Sequence, residues 1–458
     1  MSEPERDAPG TPASAGLSPA VPLVTLVTVL REWGRIGCIG FGGPPAHIRL
    51  LRQLCVERRG WLDAREFEDA IAVCNLMPGP ASTQLAIFCA WRLRGRAGAL
   101  VGGAAFIIPG LIVILALSVL FVAGSPPLWV LGAGAGAGAA VPAVAVQAGW
   151  SLLGPSWRNR ASAVRWSVYL AAGLAAAATI GAWLVLVLLG CGTVELLARY
   201  GPHLGKRDSG GGDSGGGDSA SGSGTGGSGT GGSGTGGRGS GGRGSGGGSG
   251  NGGSGGGSGG GGTRLHGFLA APAFVLAVGG GVLASVAWVA FKVGALSFGG
   301  GFVIIPLMQA DAVSRYHWMT GAQFLNAVAL GQVTPGPVVQ TVAVVGYAAA
   351  GLAGGLLASA VAFTPSFLIV LLGGPRFQRI RSNQRARAFL DGAGPAAIGA
   401  ILGSAVTLTR ELTHPWQYAV LAGALVMLLP LRRGVVLTLL SAAAIGVTIA
   451  LAAGTVSP

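Results

Sequence analysis

Charge is what this chain has least of: 10% of its 458 residues are charged, and the acidic ones number 16 against 30 lysines and arginines. So few charges do not cover a soluble domain of this size, and half of the residues are hydrophobic, with a mean hydropathy of +0.62. The expected solvent is a bilayer. Cysteine is also sparse: Cys38, Cys55, Cys74, Cys89 and Cys191 form an odd set without a CxxC spacing, which argues against a disulfide framework and a zinc site. The histidines are equally scattered, so neither a metal nor another cofactor is expected. No GxSxG and no Walker A lysine is present, which disfavours the hydrolase and the ATP-driven pump that those motifs mark, and no enzyme activity is expected. A net charge of +14 invites a nucleic-acid partner. The arginines, however, sit between apolar runs, as the positive-inside rule demands, rather than on one aromatic-studded face, so no nucleic acid is expected.

Glycine and apolar residues fill the space that charge leaves. Apolar runs at Gly98 to Val122, Leu128 to Leu152, Phe268 to Ala290, Gly351 to Leu372, Phe389 to Leu408 and Gly434 to Ala453 approach or exceed the roughly 20 residues that cross a hydrocarbon core, and Trp166 to Leu197 has room for two short spans. The fold class expected is an all-α polytopic membrane protein. Residues 1–20 lack a signal-peptide layout and read as a disordered tail. Residues 208–263 are almost wholly Gly and Ser, a flexible, cytoplasmic linker whose roughly 55 residues reach about 40 Å. They separate a first membrane half-repeat, 21–207, from a second, 264–458.

The halves align on each other. Phe41-Gly42-Gly43 falls on Phe298-Gly299-Gly300 at an offset of 298 − 41 = 257, and the same offset places Trp61 on Trp318 and Pro78-Gly79-Pro80 on Pro335-Gly336-Pro337. Roughly 30% identity without a gap over about 80 residues reads as an internal duplication. Arginines set its orientation. Arg58, Arg59, Arg65, Arg92, Arg94 and Arg96 flank the first PGP segment, whereas its counterpart has only Arg315, and the following loop reverses the bias. With basic loops inside, equivalent loops lie on opposite sides of the membrane, the pattern of an inverted repeat.

Both ends of each PGP segment carry the same loop character, so each is expected to enter and leave on one side, as a re-entrant helical hairpin with PGP at its tip. A proline-kinked spanning helix is the alternative. A helix starting at Pro80 or Pro337 would turn unpaired backbone N–H groups and its positive dipole end toward the membrane centre, where an anion binds. Polar residues cluster there in both copies: Asn75, Ser82, Thr83 and Gln84 in one, Gln332, Gln340 and Thr341 in the other. Such side chains also satisfy neighbouring helices, so this role stays open. Arg35 and Lys292, equivalent under the offset and each six residues before its Phe-Gly-Gly, are candidates for fixed positive charge, with snorkelling to an interface as the alternative.

The repeated FGG with a preceding Lys or Arg, "FGGPPAHI", the PGP after an aromatic-headed helix, and "FIIP" and "FTPS" together resemble the chromate ion transporter family in its long two-domain form. The motifs cover both halves and leave the linker unmatched. Arg35 stands where lysine is usual, and "FCAWRLRG" replaces a tyrosine and glycine pattern that "GYAAAGLAGG" keeps. The resemblance implies a bacterial inner-membrane exporter of chromate, with sulfate as a structural analogue. Expected partners are a chromate- or sulfate-like anion, the lipid bilayer and a second copy of the chain in a homo-oligomer. A sulfate or other oxyanion transporter, and a non-transporting channel or scaffold, are the competing readings.

Overall fold

The computed structural model describes residues 24–122, 126–158, 160–179, 184–204, 281–297, 303–373 and 383–453. The expected tail, the linker and the second Phe-Gly-Gly, Phe298 to Gly300, lie outside them. The described residues form fourteen α-helices and no strand. The first seven are α1 (Leu26–Ile39), α2 (Pro44–Arg52), α3 (Ala64–Leu76), α4 (Ala81–Val122), α5 (Leu128–Arg158), α6 (Ala163–Thr179) and α7 (Leu184–Leu204). The same order returns as α8 (Val282–Leu296), α9 (Ile304–Gln309), α10 (Gly321–Val333), α11 (Thr341–Gly373), α12 (Gln384–Arg410), α13 (Pro415–Leu428) and α14 (Val435–Ala453). Even the irregularities repeat: α2 runs into a π-helical turn at Gln53–Arg58 and α9 into one at Ala310–Arg315, with 310 − 53 = 257.

Local chemistry fixes each break. Asp63 caps α3 by accepting from the Arg65 N–H, and Thr320, its equivalent, caps α10 in a reciprocal box with Gln323. Both helices stop two residues before a proline. Met77 and Thr334 are forced extended, at ψ 150° and 147°. The glycines between the prolines, Gly79 at φ 114° and Gly336 at φ 99°, occupy backbone space that side chains rarely enter.

α4 and α11 are not continuous. Arg94–Gly95 and Ala350–Gly351 are non-helical, and Gly95 and Gly351 take φ near +60°. Beyond each turn the chain doubles back: Gly98 and Gly102 lie against Ala90, and Gly354 lies against Gly346. Eight residues along an unbroken helix would be about 12 Å apart. Each long element is thus a short arm (81–93 or 341–349) and a long arm (96–122 or 352–373), and the long arms, about 40 and 33 Å, can cross a membrane. An ion pair of Arg92 with Glu66 ties the end of the short arm to the first turn of α3. Residues 64–94 therefore form a helical hairpin about 20 Å deep, with PGP at its tip.

Among the described residues, six helical stretches are long and apolar enough to cross a membrane, and this count treats the two arms of α4, and those of α11, as one. The chain is a multi-pass membrane protein. The apolar run expected at Phe268 to Ala290 gives a helix displaced to 282–296, its earlier residues lying outside the described ones.

The two halves interlock in one compact unit. Small residues allow it: Gly132 and Gly136 of α5 pack on Gly446 and Ala442 of α14, and Gly173 of α6 packs on Ala396 of α12. Buried Glu195 of α7 pairs with Arg165 and Arg199, and Arg199 reaches Asp391 of α12. The long arms also cross. Gly103 meets Phe367 while Leu115 meets Gly355, so increasing numbers on one arm face decreasing numbers on the other, and the two run antiparallel.

Candidate functional site

The two PGP tips meet at the crossing of the long arms. Ser366, on the long arm of α11, lies against Gly79 of the first tip, and Gly110, on the long arm of α4, lies against the Pro335 carbonyl of the second. The exchange is reciprocal: each half's long arm packs on the other half's tip. Pro109 and Pro365 precede these contact residues at an offset of 365 − 109 = 256, one less than before the tips. The gapless alignment therefore slips by one residue, and the cause is local. After Pro80 the chain enters an α-helix directly, whereas after Pro337 it makes a 3₁₀ turn, Val338–Gln340, which uses fewer residues per turn.

The slip makes Gln84 and Gln340 structural equivalents. Gln84 donates its carboxamide N–H to the Pro78 carbonyl at 2.5 Å and packs on Gly79; Gln340 donates to the Ile107 carbonyl at 2.6 Å and packs on Gly336. Both are fully buried. Ser82, Thr83 and Thr341 are buried beside them, and Thr341 donates to the Val338 carbonyl. A chain of hydrogen bonds joins the tips. Gly336 N–H donates to the Gly40 carbonyl at 3.1 Å, His47 Nε2 donates to the same oxygen at 2.9 Å, and His47 Nδ1 faces the Ser82 hydroxyl at 3.3 Å. With the proton on Nε2, the other nitrogen of a neutral ring accepts from Ser82.

Seven buried side-chain polar atoms among the described residues lack a hydrogen-bond partner: Thr83 Oγ1, Gln84 Oε1, Ser297 Oγ, Gln332 Nε2, Gln340 Oε1, Ser366 Oγ and Arg165 Nε. The last sits in an ion pair, 2.9 Å from Glu195. Five of the rest belong to the tips or to the arm that crosses them, and Ser297 occupies the position equivalent to Gly40. Buried polar groups are ordinarily paired, at a cost of about 1–3 kcal/mol when they are not. A polar guest at the tips would relieve them. No group of His, Cys, Asp or Glu among the described residues is arranged to hold a metal ion.

The remaining expected site residues lie elsewhere. Arg35 is exposed and lines a cleft with Arg31, Arg58 and Arg59. Lys292 is largely buried over Trp288 and forms an ion pair with Asp311, which is buried. Arg35 and Lys292 thus have different surroundings, an exposed cleft for one and an ion pair with a buried carboxylate for the other. Phe41 is exposed, Gly42 and Gly43 form the left-handed turn into α2, and Gly43 touches Val338 beside the second tip. Asn75 opens into an apolar cavity of about 350 Å³ walled by Leu296, Phe389 and Ile398. His47, Gly110, Ser366 and Asp311 are not among the expected site residues. A second pass of the repeat at the 256 offset pairs Pro109-Gly110 with Pro365-Ser366; nothing in the sequence pairs Asp311 with Lys292.

A multi-pass helical bundle with unsatisfied polar atoms gathered where two broken hairpins meet has the makings of a transport site. Comparison with known proteins makes the class specific. The family described as "Chromate transporter" matches residues 27–196 and 284–447. The chain is 28% identical over 431 residues to a chromate transport protein of Cupriavidus metallidurans, covering 92% of each. It is 26% identical to a probable chromate transport protein of Synechococcus elongatus, covering 86% of this chain and 87% of that one, and 27% identical to a chromate transport protein of Pseudomonas aeruginosa, covering 82% and 79%. No solved structure matches. The chain belongs to the chromate transporter family.

Proposed function

We propose that this protein is a secondary transporter that exports chromate from the cytoplasm across the bacterial inner membrane, holding the dianion between the two PGP tips. The observation that carries the reading is the set of unpartnered polar atoms there. The hydroxyls of Thr83, Ser297 and Ser366 and the carboxamide N–H of Gln332 can donate to a tetrahedral oxyanion, and so can the second N–H of the Gln84 and Gln340 carboxamides, whose first N–H is held by a backbone carbonyl. The short arms begin at the tips, so their positive dipole ends face the same place.

An inverted repeat accounts for the arrangement. The long arms run antiparallel, and the arginines at the Arg94 turn have no counterpart at the Ala350 turn, which supports opposite membrane sides for the two. Membrane potential suffices as a driving force: two negative charges leaving the cell gain about 4.6 kcal/mol per 100 mV. Sulfate, a tetrahedral dianion of the same charge, is the competing substrate.

Gln84→Leu and Gln340→Leu keep the volume and remove the carboxamide. At matched expression, each is expected to lower maximal chromate flux into inverted vesicles at least tenfold. Wild-type flux in both would remove the tips as the site, and sulfate flux that exceeds chromate flux would reassign the substrate.

A further inference from the structure

We propose that the cleft between α1 and the π turn of the first half is an oxyanion vestibule, a site apart from the tips that collects the soluble dianion on the cytoplasmic face before it enters. Four guanidinium groups line a space of about 610 Å³: Arg31 and Arg35, one turn apart on the exposed face of α1, and Arg58 and Arg59, at the end of the turn. One carboxylate, Glu32, shares the cleft, and Arg59 holds it at 2.6 Å. Four cations against one anion leave 4 − 1 = +3 around one concavity. Like charges so placed repel one another, and a concave wall of low dielectric focuses their field, so the arrangement favours a bound anion. Guanidinium groups also match a tetrahedral oxyanion with paired N–H donors.

The second half indicates a directional role. At the equivalent positions it has Trp288, Lys292, Arg315 and Tyr316, with Lys292 neutralised by Asp311. The duplicated backbone is retained without the duplicated cluster, so only one face of the membrane carries the concentrated charge. A carrier that loads from the cytoplasm needs its dianion gathered on that side alone. This inference rests on the transport reading and orientation given above, and its test is separable from theirs because it predicts a different kinetic signature.

A phospholipid headgroup offers the same phosphate-like chemistry, so the experiment distinguishes the two sources. The full chain is reconstituted in phosphatidylcholine vesicles, and chromate flux entering at the cytoplasmic face is measured against ionic strength for wild type, Arg31→Gln/Arg58→Gln and Arg96→Gln, an exposed arginine outside the cleft. The double variant is expected to raise the half-saturating concentration about tenfold at about 20 mM salt and less than twofold at about 500 mM, with maximal flux retained, because salt screens exposed charge. Arg96→Gln should match wild type. Three results would overturn the vestibule: a half-saturating concentration unchanged at low salt, an equal effect in Arg96→Gln, or a difference that appears only when phosphatidylglycerol is present, which would assign the cleft to lipid. Failure of the tips would instead show as wild-type maximal flux in the glutamine variants.

Discussion

Arg31, Arg35, Arg58 and Arg59 crowd one cleft of the first half, while the equivalent positions of the second hold two aromatic residues, a paired lysine and a single arginine. The backbone beneath them hardly differs: π turn over π turn, PGP over PGP, a positive-φ glycine after each short arm. Glycine and proline restrict what a backbone can do, so substituting them costs the fold. Surface charge carries no such cost and is free to diverge. The shared backbone builds one central crossing from two halves, and the unshared charge sets the two halves apart.

Placing the two turns on opposite sides is the sharpest way to break this comparison, because the outcome is all or none. In a background with the five native cysteines replaced, Arg94→Cys and Leu352→Cys are expected to react with a membrane-impermeant maleimide from opposite sides, Arg94→Cys from the cytoplasmic side. Reaction of both from one side would rule out the inverted repeat and leave the antiparallel long arms without a membrane explanation.

The paired and unpaired cations give the next largest effect. Asp311 and Lys292 are both largely buried, so Asp311→Asn leaves a cation without its partner and is expected to cost about 3–5 kcal/mol. Lys292→Gln/Asp311→Asn removes both charges and should recover most of that. Arg35→Gln, at the equivalent exposed position, should change stability by no more than about 0.5 kcal/mol. Denaturation in mild detergent, followed by tryptophan fluorescence, measures all three. A double variant no better than the single would show that the aspartate does more than balance the lysine.

How much of this was legible in the sequence follows from what each feature depends on. The breaks at Pro78 and Pro335 were legible, because proline and glycine act on their own neighbours, and the arginines at 92–96 marked the turn after the first short arm. The apolar runs gave the long arms, α5, α12 and α14 for the same reason. The one-residue slip was not legible: it arises from a 3₁₀ turn at Val338–Gln340 that only the packing of the second tip selects. Nor were the reciprocal contacts of Gly110 and Ser366 with the opposite tips, since they join residues hundreds apart in sequence. Arg35 and Lys292 were matched in sequence, yet a carboxylate 19 residues beyond the lysine separates their environments.

The smallest effect concerns a polar difference between the two long arms at the crossing. Gly110 and Ser366 hold equivalent places, but only Ser366 brings a hydroxyl, and that hydroxyl is buried without a partner beside the first tip. Packing enforces the asymmetry: at Gly110 an added Cβ would run into the Pro335 carbonyl and lie 2.5 Å from Gln340 Oε1, so a serine there has no room. If the Ser366 hydroxyl donates to the bound dianion, Ser366→Ala removes one neutral hydrogen bond, worth about 1 kcal/mol, or about a fivefold rise in half-saturating chromate. Maximal flux and stability should change little, since no protein hydrogen-bond partner is lost. Ser366→Thr retains the hydroxyl and should restore affinity if the added methyl fits. Flux into inverted vesicles across a chromate series measures each, and an unchanged half-saturating concentration in Ser366→Ala would assign the crossing equally to both halves, with the dianion held by the paired glutamines and the helix ends.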